Sequence, residues 1–432
     1  MDREATVKQA IDAPVGNAVV GQSGGPTAAI NATLAGVIRG VLNGKEQAGW
    51  PIGTLYGMKN GVEGLLRGDM VDLNACFDPA CGGCAEELDT LTLTPAAALG
   101  SCRRRLPARD SDQWEPVMGQ LLDRLKQYHI RYFFYIGGND SMDTVEKLSA
   151  YAQAQGYDMR VVGVPKTIDN DLMGTDHTPG YGSAAKYIAV TMGEILRDTA
   201  VYTQPAVTVV EIMGRDAGWL TAAAALGRLV SGQEPDLVYL PERVFDFDAF
   251  YEDVAAALTR HPGVVVAVSE GLRCANGSYV GEGTQSGSVD AFGHRYLAGT
   301  GKALELAVRE RFGCKVRSVE LNLPQRCAAH LLSAQDIEES LAVGAGAVSA
   351  AVAGVSRAMM TIRRTEGSAY GYTIGQEDIA SIANRTRQVP DNFITPRGNQ
   401  VTDDCLRYLL PLIRGERYPV YDRGLPRQYV FR

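Results

Sequence analysis

Lys166, Asp169 and Asp171 fall within six residues of one another in the run PKTIDND, residues 165–171. A carboxylate beside a lysine suits phosphoryl chemistry: the carboxylate takes a proton from an attacking hydroxyl, and the cation offsets charge on the group in transfer. Taken alone, a short acidic loop more simply makes its own Asx turns. Three neighbouring turns of similar character favour the chemical reading. Residues 21–31, GQSGGPTAAIN, read as a strand-to-helix turn in which Gly24 and Gly25 let backbone N–H groups approach an anion at a helix N-terminus. Residues 137–143, GGNDSMD, carry Asn139 and Asp140, which suit phosphate or metal contacts, while Asp143 can cap the next helix. Residues 211–215, EIMGR, offer Arg215 to an anionic group.

Other chemistry competes for the same residues. Residues 21–25 also fit G-x-S-x-G, the nucleophile elbow of serine hydrolases, which would make Ser23 a nucleophile and require a histidine from among His261, His294 and His330. A plain tight turn is the third reading. Cys76, Cys81 and Cys84 form C-x4-C-x2-C, a spacing that overlaps a plant-type iron–sulfur pattern and equally describes a surface excursion around Gly82 and Gly83. The run GTGKA at 299–303 looks like the tail of a P-loop, but Tyr296 stands at the first glycine, Ala303 replaces the Ser/Thr, and no strand precedes it.

The elements that must hold these turns are legible from alternation. Short apolar runs predict strands at 17–20, 132–136, 160–164, 207–212, 237–240, 264–268 and 316–319, and helical spacing marks 116–128, 184–198, 218–230, 246–260 and 301–312. That order is α/β, and several strands end in glycine turns, where an open parallel sheet binds its ligands. The excess of 48 glycines thus lies largely where a substrate should. The Gly/Ala-rich stretch 343–355 reads as a tightly packed buried helix. With 432 residues, 45% hydrophobic and 21% charged, the chain is globular and long enough for two intimately packed lobes. A net charge of −8, from 42 basic and 50 acidic residues, argues against nucleic acid and anionic membranes as main partners. No apolar run reaches the ~18–20 residues of a membrane span. The start of the chain lacks the pattern of a signal peptide, and eight scattered cysteines fit a reducing compartment, so a cytoplasmic enzyme is expected.

GGPTAAIN, GGNDSMD, PKTIDND, MGR, SEG and PQR, in this order, resemble the phosphofructokinase family from about Gly16 to the C-terminal YDRGLP. The resemblance implies two Rossmann-like α/β lobes with mostly parallel sheets and the active site in the cleft between them. It implies a donor lobe over 16–172 completed by part of 335–432, a fructose 6-phosphate lobe over 173–334, a tail at 1–15 and a C-terminal extension at 390–432 packing on the lobes. The implied reaction moves a phosphoryl group to the 1-hydroxyl of fructose 6-phosphate with Mg²⁺, in a homodimer or homotetramer. ATP-using relatives read GGDGS and PGTIDND where this chain has Asp140 and Lys166. A carboxylate at Asp140 takes the space and charge of the ATP α-phosphate, at a cost of several kcal/mol in a partly desolvated pocket. Lys166 supplies a cation beside the transferring group. The pair is similar to the diphosphate-dependent branch; an ATP-dependent kinase or a sedoheptulose 7-phosphate kinase of the same fold are the alternatives.

By motif matching, Asp169 resembles the catalytic base, and Thr167, Met213, Gly214 and Arg215 the sugar-phosphate segment. Glu270 matches a sugar-hydroxyl acceptor. Arg317 and Arg326 match cations that grip the 6-phosphate, one of them reaching in from a neighbouring subunit. Gly25 and Arg103 match donor-side residues. The chain departs from the family at three points. Asn139 replaces the usual magnesium aspartate, shifting the metal toward Asp171 and diphosphate oxygens, and Ala206 and Leu323 replace a cation and a histidine of the 6-phosphate grip.

Overall fold

The structure is a computed structural model and describes residues 13–282, 299–367, 369–383 and 385–431. The tail reading therefore lies outside the described residues except for 13–15, and so does His294. Two sheets are built from β1 (Gly16–Gln22), β2 (Ile52–Met58), β3 (Met70–Asp72), β4 (Ile130–Gly137), β5 (Arg160–Pro165), β6 (Ala206–Ile212), β7 (Leu237–Tyr239), β8 (Gly263–Ser269), β9 (Lys315–Glu320), β10 (Ala358–Arg364) and β11 (Tyr372–Asp378). The larger sheet runs β11-β10-β5-β4-β1-β2-β3. Its five central strands are parallel, and an antiparallel strand closes each edge. The smaller runs β9-β6-β8-β7 and is parallel throughout.

All seven expected strands are present. β4 is buried along nearly its whole length because helices cover both faces of its sheet, so its apolar run is continuous rather than alternating. Four strands of these two sheets, β2, β3, β10 and β11, lie outside the expected set. In β2, Gly53 and Gly57 dilute the alternation, and β10 and β11 carry Arg363, Arg364, Glu377 and Asp378 among their apolar residues. Of the helices, α1 (Ile30–Ala48), α2 (Trp114–Gln127), α3 (Asn139–Ala154) and α4 (Tyr181–Thr199) precede α5 (Trp219–Ala223) and α6 (Gly227–Ser231). These two short pieces replace the single helix expected over 218–230. Between them Ala224, Ala225 and Leu226 donate to carbonyls three residues back, which tightens the chain, and a Cβ on Gly227 would strike the Gln233 carbonyl. Further along the chain come α7 (Phe247–Arg260), α8 (Thr300–Phe312), α9 (Ala334–Val352) and α10 (Asp403–Leu409). α9 holds most of the Gly/Ala-rich stretch. It packs on α1 so closely that a Cβ on Gly344 would lie 2.2 Å from the Thr33 carbonyl. No helix among the described residues is long and apolar enough to cross a membrane.

A buried charged network ties the loop after β5 to α9 and the chain's far end. His177, 1% exposed, shares its ring nitrogens between Asp176 (2.8 Å) and Glu339 (2.6 Å). Tyr370 donates to Glu339, and Arg364 and Tyr408 to Asp176. Burial alone would lower the imidazole pKa, but the Glu339 charge and the hydrogen bonds of both carboxylates lift it to about 9. Its value in an unfolded chain is 6.5, so charged His177 stabilises the fold fully below about pH 6.5, and that support disappears as the pH rises through 9. The shift corresponds to about 3 kcal/mol. Melting curves from pH 6 to pH 9.5 should show a gap between the wild type and His177→Gln that closes at alkaline pH. A constant gap would show that His177 contributes packing only.

Candidate active site

The cleft lies between the sheets, at the carboxyl ends of β1, β4, β5, β6 and β8, and has a volume of about 450 Å³. Gly24 and Gly25 follow β1, and Gly138, Asn139, Asp140 and Ser141 follow β4. Lys166, Thr167, Asp169 and Asp171 follow β5, Met213 and Arg215 follow β6, and Glu270 follows β8. Arg103 and Arg326 complete the convergence. Strand ends place the residues from Gly24 to Glu270 named above, because side chains that leave a parallel sheet at its carboxyl edge face one common crevice; Arg103 comes from the loop before α2 and Arg326 from the short helix Pro324–Cys327.

On the side of the seven-stranded sheet, Lys166 is 2% exposed and its Nζ donates to the Gly25 carbonyl at 2.6 Å. Burial lowers its pKa to about 8; the Asp169 carboxylate opposes this, and Arg326 and Arg103 add to it. Burial and Arg103 likewise lower the pKa of Arg326. Three cations that repel one another inside a cleft form a site that an anion would relieve. Gly24, at φ +77°, and Gly25 leave room for this cluster: a Cβ on the first would lie 3.4 Å from Lys166 Nζ, and on the second 3.5 Å from Arg326 Nη1. The expected anion cradle needs one correction. The Gly24 N–H donates to the Cys102 carbonyl, and α1 does not begin until Ile30; the helix N-terminus that opens into the cleft is that of α3, at Asn139 and Asp140.

At the junction of the two sides, Thr167 Oγ1 accepts from the Asp169 N–H (3.1 Å) and donates to its carboxylate (3.3 Å). Asn170 takes φ +55°, in the left-handed region that asparagine tolerates, and the turn keeps Asp169 facing the cleft. Burial raises the Asp169 pKa, while Thr167, Lys166, Arg215 and Arg326 act against the rise. Burial, reinforced by the Asp169 charge, raises Asp171 to about 7. On the side of the four-stranded sheet, the Gly214 N–H donates to Glu270 Oε1 (3.2 Å), and the Met213 N–H to Gln325 (3.1 Å). Burial lifts Glu270 to about 8. Five cationic and five acidic side chains line the cleft. Its balance near neutral pH tips positive because burial lifts Glu270 and Asp171 toward their neutral forms, while Arg105 and Asp140, paired at 2.9 Å, cancel each other.

A metal ion fits one corner. Asn139 Nδ2 lies 3.4 Å from Asp171 Oδ2, and Asn139 Oδ1 is buried without a hydrogen-bond partner. An amide oxygen and one carboxylate, completed by donor phosphate oxygens, match the way Mg²⁺ is commonly held. No cluster of three or more acidic, histidine or cysteine ligands exists among the described residues.

Not every expected residue reaches the cleft. Gly214 acts through its amide on Glu270 rather than lining the wall. Arg317, on β9, lines a separate hollow of about 300 Å³ with Thr191, Tyr202 and Thr208. Arg326 is present, but it leans on the Gly25 turn. Residues the motifs did not single out include Arg105, Asp216 and Thr386; Thr386 arrives from the C-terminal segment, where it bridges to Leu172. The rival readings lose their geometry. Ser23 is buried and donates to the Cys102 carbonyl, His261 pairs with Asp236, and His330 is exposed. Cys81 and Cys84 are exposed and turn to Asp78 and Glu86. The α8 N-terminus behind the GTGKA run is filled by the protein's own Glu211, which accepts from the Gly301 N–H at 2.6 Å.

Residues 17–350 match the Phosphofructokinase family, and the chain belongs to that family. It is 39% identical over 413 residues to the pyrophosphate–fructose 6-phosphate 1-phosphotransferase of Halomonas elongata, covering 95% of each chain. It is also 39% identical over 417 residues to the protein of that name from Methylococcus capsulatus, covering 95% of this chain and 94% of the other. The crystal structure of a pyrophosphate-dependent phosphofructokinase from Nitrosospira multiformis superposes with a TM-score of 0.83 at 36% identity, covering 96% of this chain and 95% of that one.

Proposed function

We propose that the protein is a cytoplasmic diphosphate-dependent 6-phosphofructokinase, which transfers a phosphoryl group from diphosphate to the 1-hydroxyl of fructose 6-phosphate and releases phosphate, reversibly. The observation that carries this reading is the placement of Lys166, its amine on the Gly25 carbonyl, beside Asp169 in a cleft where Arg103 and Arg326 supply further positive charge. The lobe of the seven-stranded sheet takes the donor, and the lobe of the four-stranded sheet takes the sugar phosphate. Asp169 removes the proton from the 1-hydroxyl as its oxygen attacks; burial raises its proton affinity, as a base needs, and the surrounding cations hold that rise back. Lys166 and Arg103 hold the diphosphate and offset charge that spreads over the phosphoryl oxygens. Arg326, against the Gly25 turn, contacts the group in transfer as well as the sugar phosphate. Thr167, Met213 and Arg215 orient the sugar, and Glu270 meets its hydroxyls. Mg²⁺, held by Asn139 and Asp171, would supply charge neutralisation on the donor phosphates. Arg317 serves a neighbouring subunit's sugar phosphate in a homodimer or homotetramer, which accounts for its distance from its own cleft.

A donor panel in both directions with Mg²⁺ tests the reading. Turnover should be faster with diphosphate than with ATP, and fructose 1,6-bisphosphate plus phosphate should run the reverse reaction. Faster turnover with ATP overturns the donor assignment. Sedoheptulose 7-phosphate, offered as acceptor beside fructose 6-phosphate, tests the sugar.

A further inference from the structure

We propose that Arg105 is a positioning residue for donor choice: it holds the Asp140 carboxylate as part of the cleft wall, and the closed pair, rather than a bare charge on Asp140, restricts the donor to diphosphate. The proposal rests on the diphosphate reading above.

Arg105 Nε and Nη2 both contact Asp140 Oδ1, at 3.1 and 2.9 Å, and both residues line the cleft. The strip 103–109 that brings Arg103 to the donor side is fastened along α3 at three points. Arg105 meets Asp140, Lys147 donates to the Leu106 carbonyl at 3.2 Å while pairing with Asp143, and Arg109 meets Glu146 at 2.6 Å. Asp140, Asp143 and Lys147 recur at helical spacing on one face of α3. Of the three fastenings, the first is the one whose partners both face the cleft. The Arg105 and Asp140 side chains are 51% and 30% exposed, so their pairing adds little to folding. Its consequence lies in what the wall presents to a ligand.

With the pair closed, Asp140 is neutralised and fixed at the N-terminus of α3, whose dipole also favours it there. A nucleoside triphosphate must bring a third phosphate against this wall and take Arg105 away from its carboxylate. A diphosphate presents two phosphoryl groups and leaves the pair intact. Opposite consequences follow for the two partners. Loss of Arg105 uncovers a negative charge facing diphosphate, whereas loss of Asp140 takes from the Arg105 guanidinium its carboxylate in the cleft wall and favours a longer polyphosphate there.

The test measures kcat and KM for diphosphate, tripolyphosphate and ATP with saturating fructose 6-phosphate and Mg²⁺, using the full chain as wild type, Arg105→Gln, Arg105→Lys, Asp140→Gly and the Asp140→Gly/Arg105→Gln double variant. Arg105→Gln should raise the KM for diphosphate about tenfold through the uncovered charge, leaving the KM for fructose 6-phosphate and the melting temperature in place, with Arg105→Lys recovering part of the loss. Asp140→Gly should raise kcat/KM for ATP and tripolyphosphate, and adding Arg105→Gln should abolish that gain. An unchanged diphosphate KM in Arg105→Gln, or a double variant that matches Asp140→Gly, overturns the proposal. So does a parallel loss of both substrates and of melting temperature, which would mark a structural role. A wild type that prefers ATP overturns the underlying function instead, so the two failures are distinguishable.

Discussion

Asp169→Asn should lower kcat by about 10²–10⁴-fold, the range a positioned general base contributes, while the KM for fructose 6-phosphate stays close to that of the wild type. Asparagine preserves the shape of the turn: its oxygen can still accept from Thr167 Oγ1, and the Asp169 N–H bond to Thr167 is backbone-borne. What it removes is the capacity to take a proton. It also removes the one negative charge that Lys166, Arg215 and Arg326 all face, so diphosphate should bind the variant at least as tightly as the wild type. That combination, lost turnover with retained or improved donor binding, separates a base from a residue that merely helps hold the fold. Steady-state kinetics in both directions and calorimetric binding of diphosphate would measure it. A variant that retains near-wild-type turnover assigns the proton to another group, and one that loses sugar binding in proportion to rate makes Asp169 a binding residue.

How much of this site could be read from residue order depends on whether the relevant partner is local. Lys166, Asp169, Asp140 and Glu270 sit one to four residues beyond buried strands, so each strand's apolar pattern locates its chemistry. Asp140 is the opposite case. Its charge is balanced by Arg105, 35 residues earlier in a run of three arginines, and nothing in that run marks which one turns to Asp140. Thr386 was invisible because it reaches the cleft through a bridge to Leu172 across more than two hundred residues, and His177 because its carboxylate partner Glu339 lies on α9. The broken helix at α5–α6 illustrates a third limit. A run of alanines has high helix propensity, yet Gly227 must approach the Gln233 carbonyl too closely for any side chain, and the chain tightens to meet that contact.

Lys166→Met should raise stability and lower activity together. A lysine whose pKa falls from 10.5 to about 8 on folding opposes folding by about 3 kcal/mol while it is protonated. That cost is fully present below about pH 8 and vanishes as the pH rises toward the unfolded value. Methionine fills nearly the same volume without charge. It forfeits the charge-assisted bond to the Gly25 carbonyl, worth about 1.5–3 kcal/mol and so slightly less than the buried charge costs, and the ligand-free variant should melt slightly higher than the wild type at pH 7. Diphosphate should reverse the order, since it recovers the cost only where the ammonium is present: the wild type gains melting temperature on binding, and Lys166→Met gains far less. Activity should fall by about 10²–10³-fold, the size of losing one preorganised charge donor at a phosphoryl group. The pH profile supplies the second half of the test. In the wild type, kcat/KM for diphosphate should decline above about pH 8 as free Lys166 loses its proton, and Lys166→Arg, charged throughout, should lack that limb while diphosphate's own ionisation remains. A Lys166→Met protein less stable than the wild type without ligand, or an Arg variant with the same alkaline limb, would remove Lys166 from the centre of donor binding.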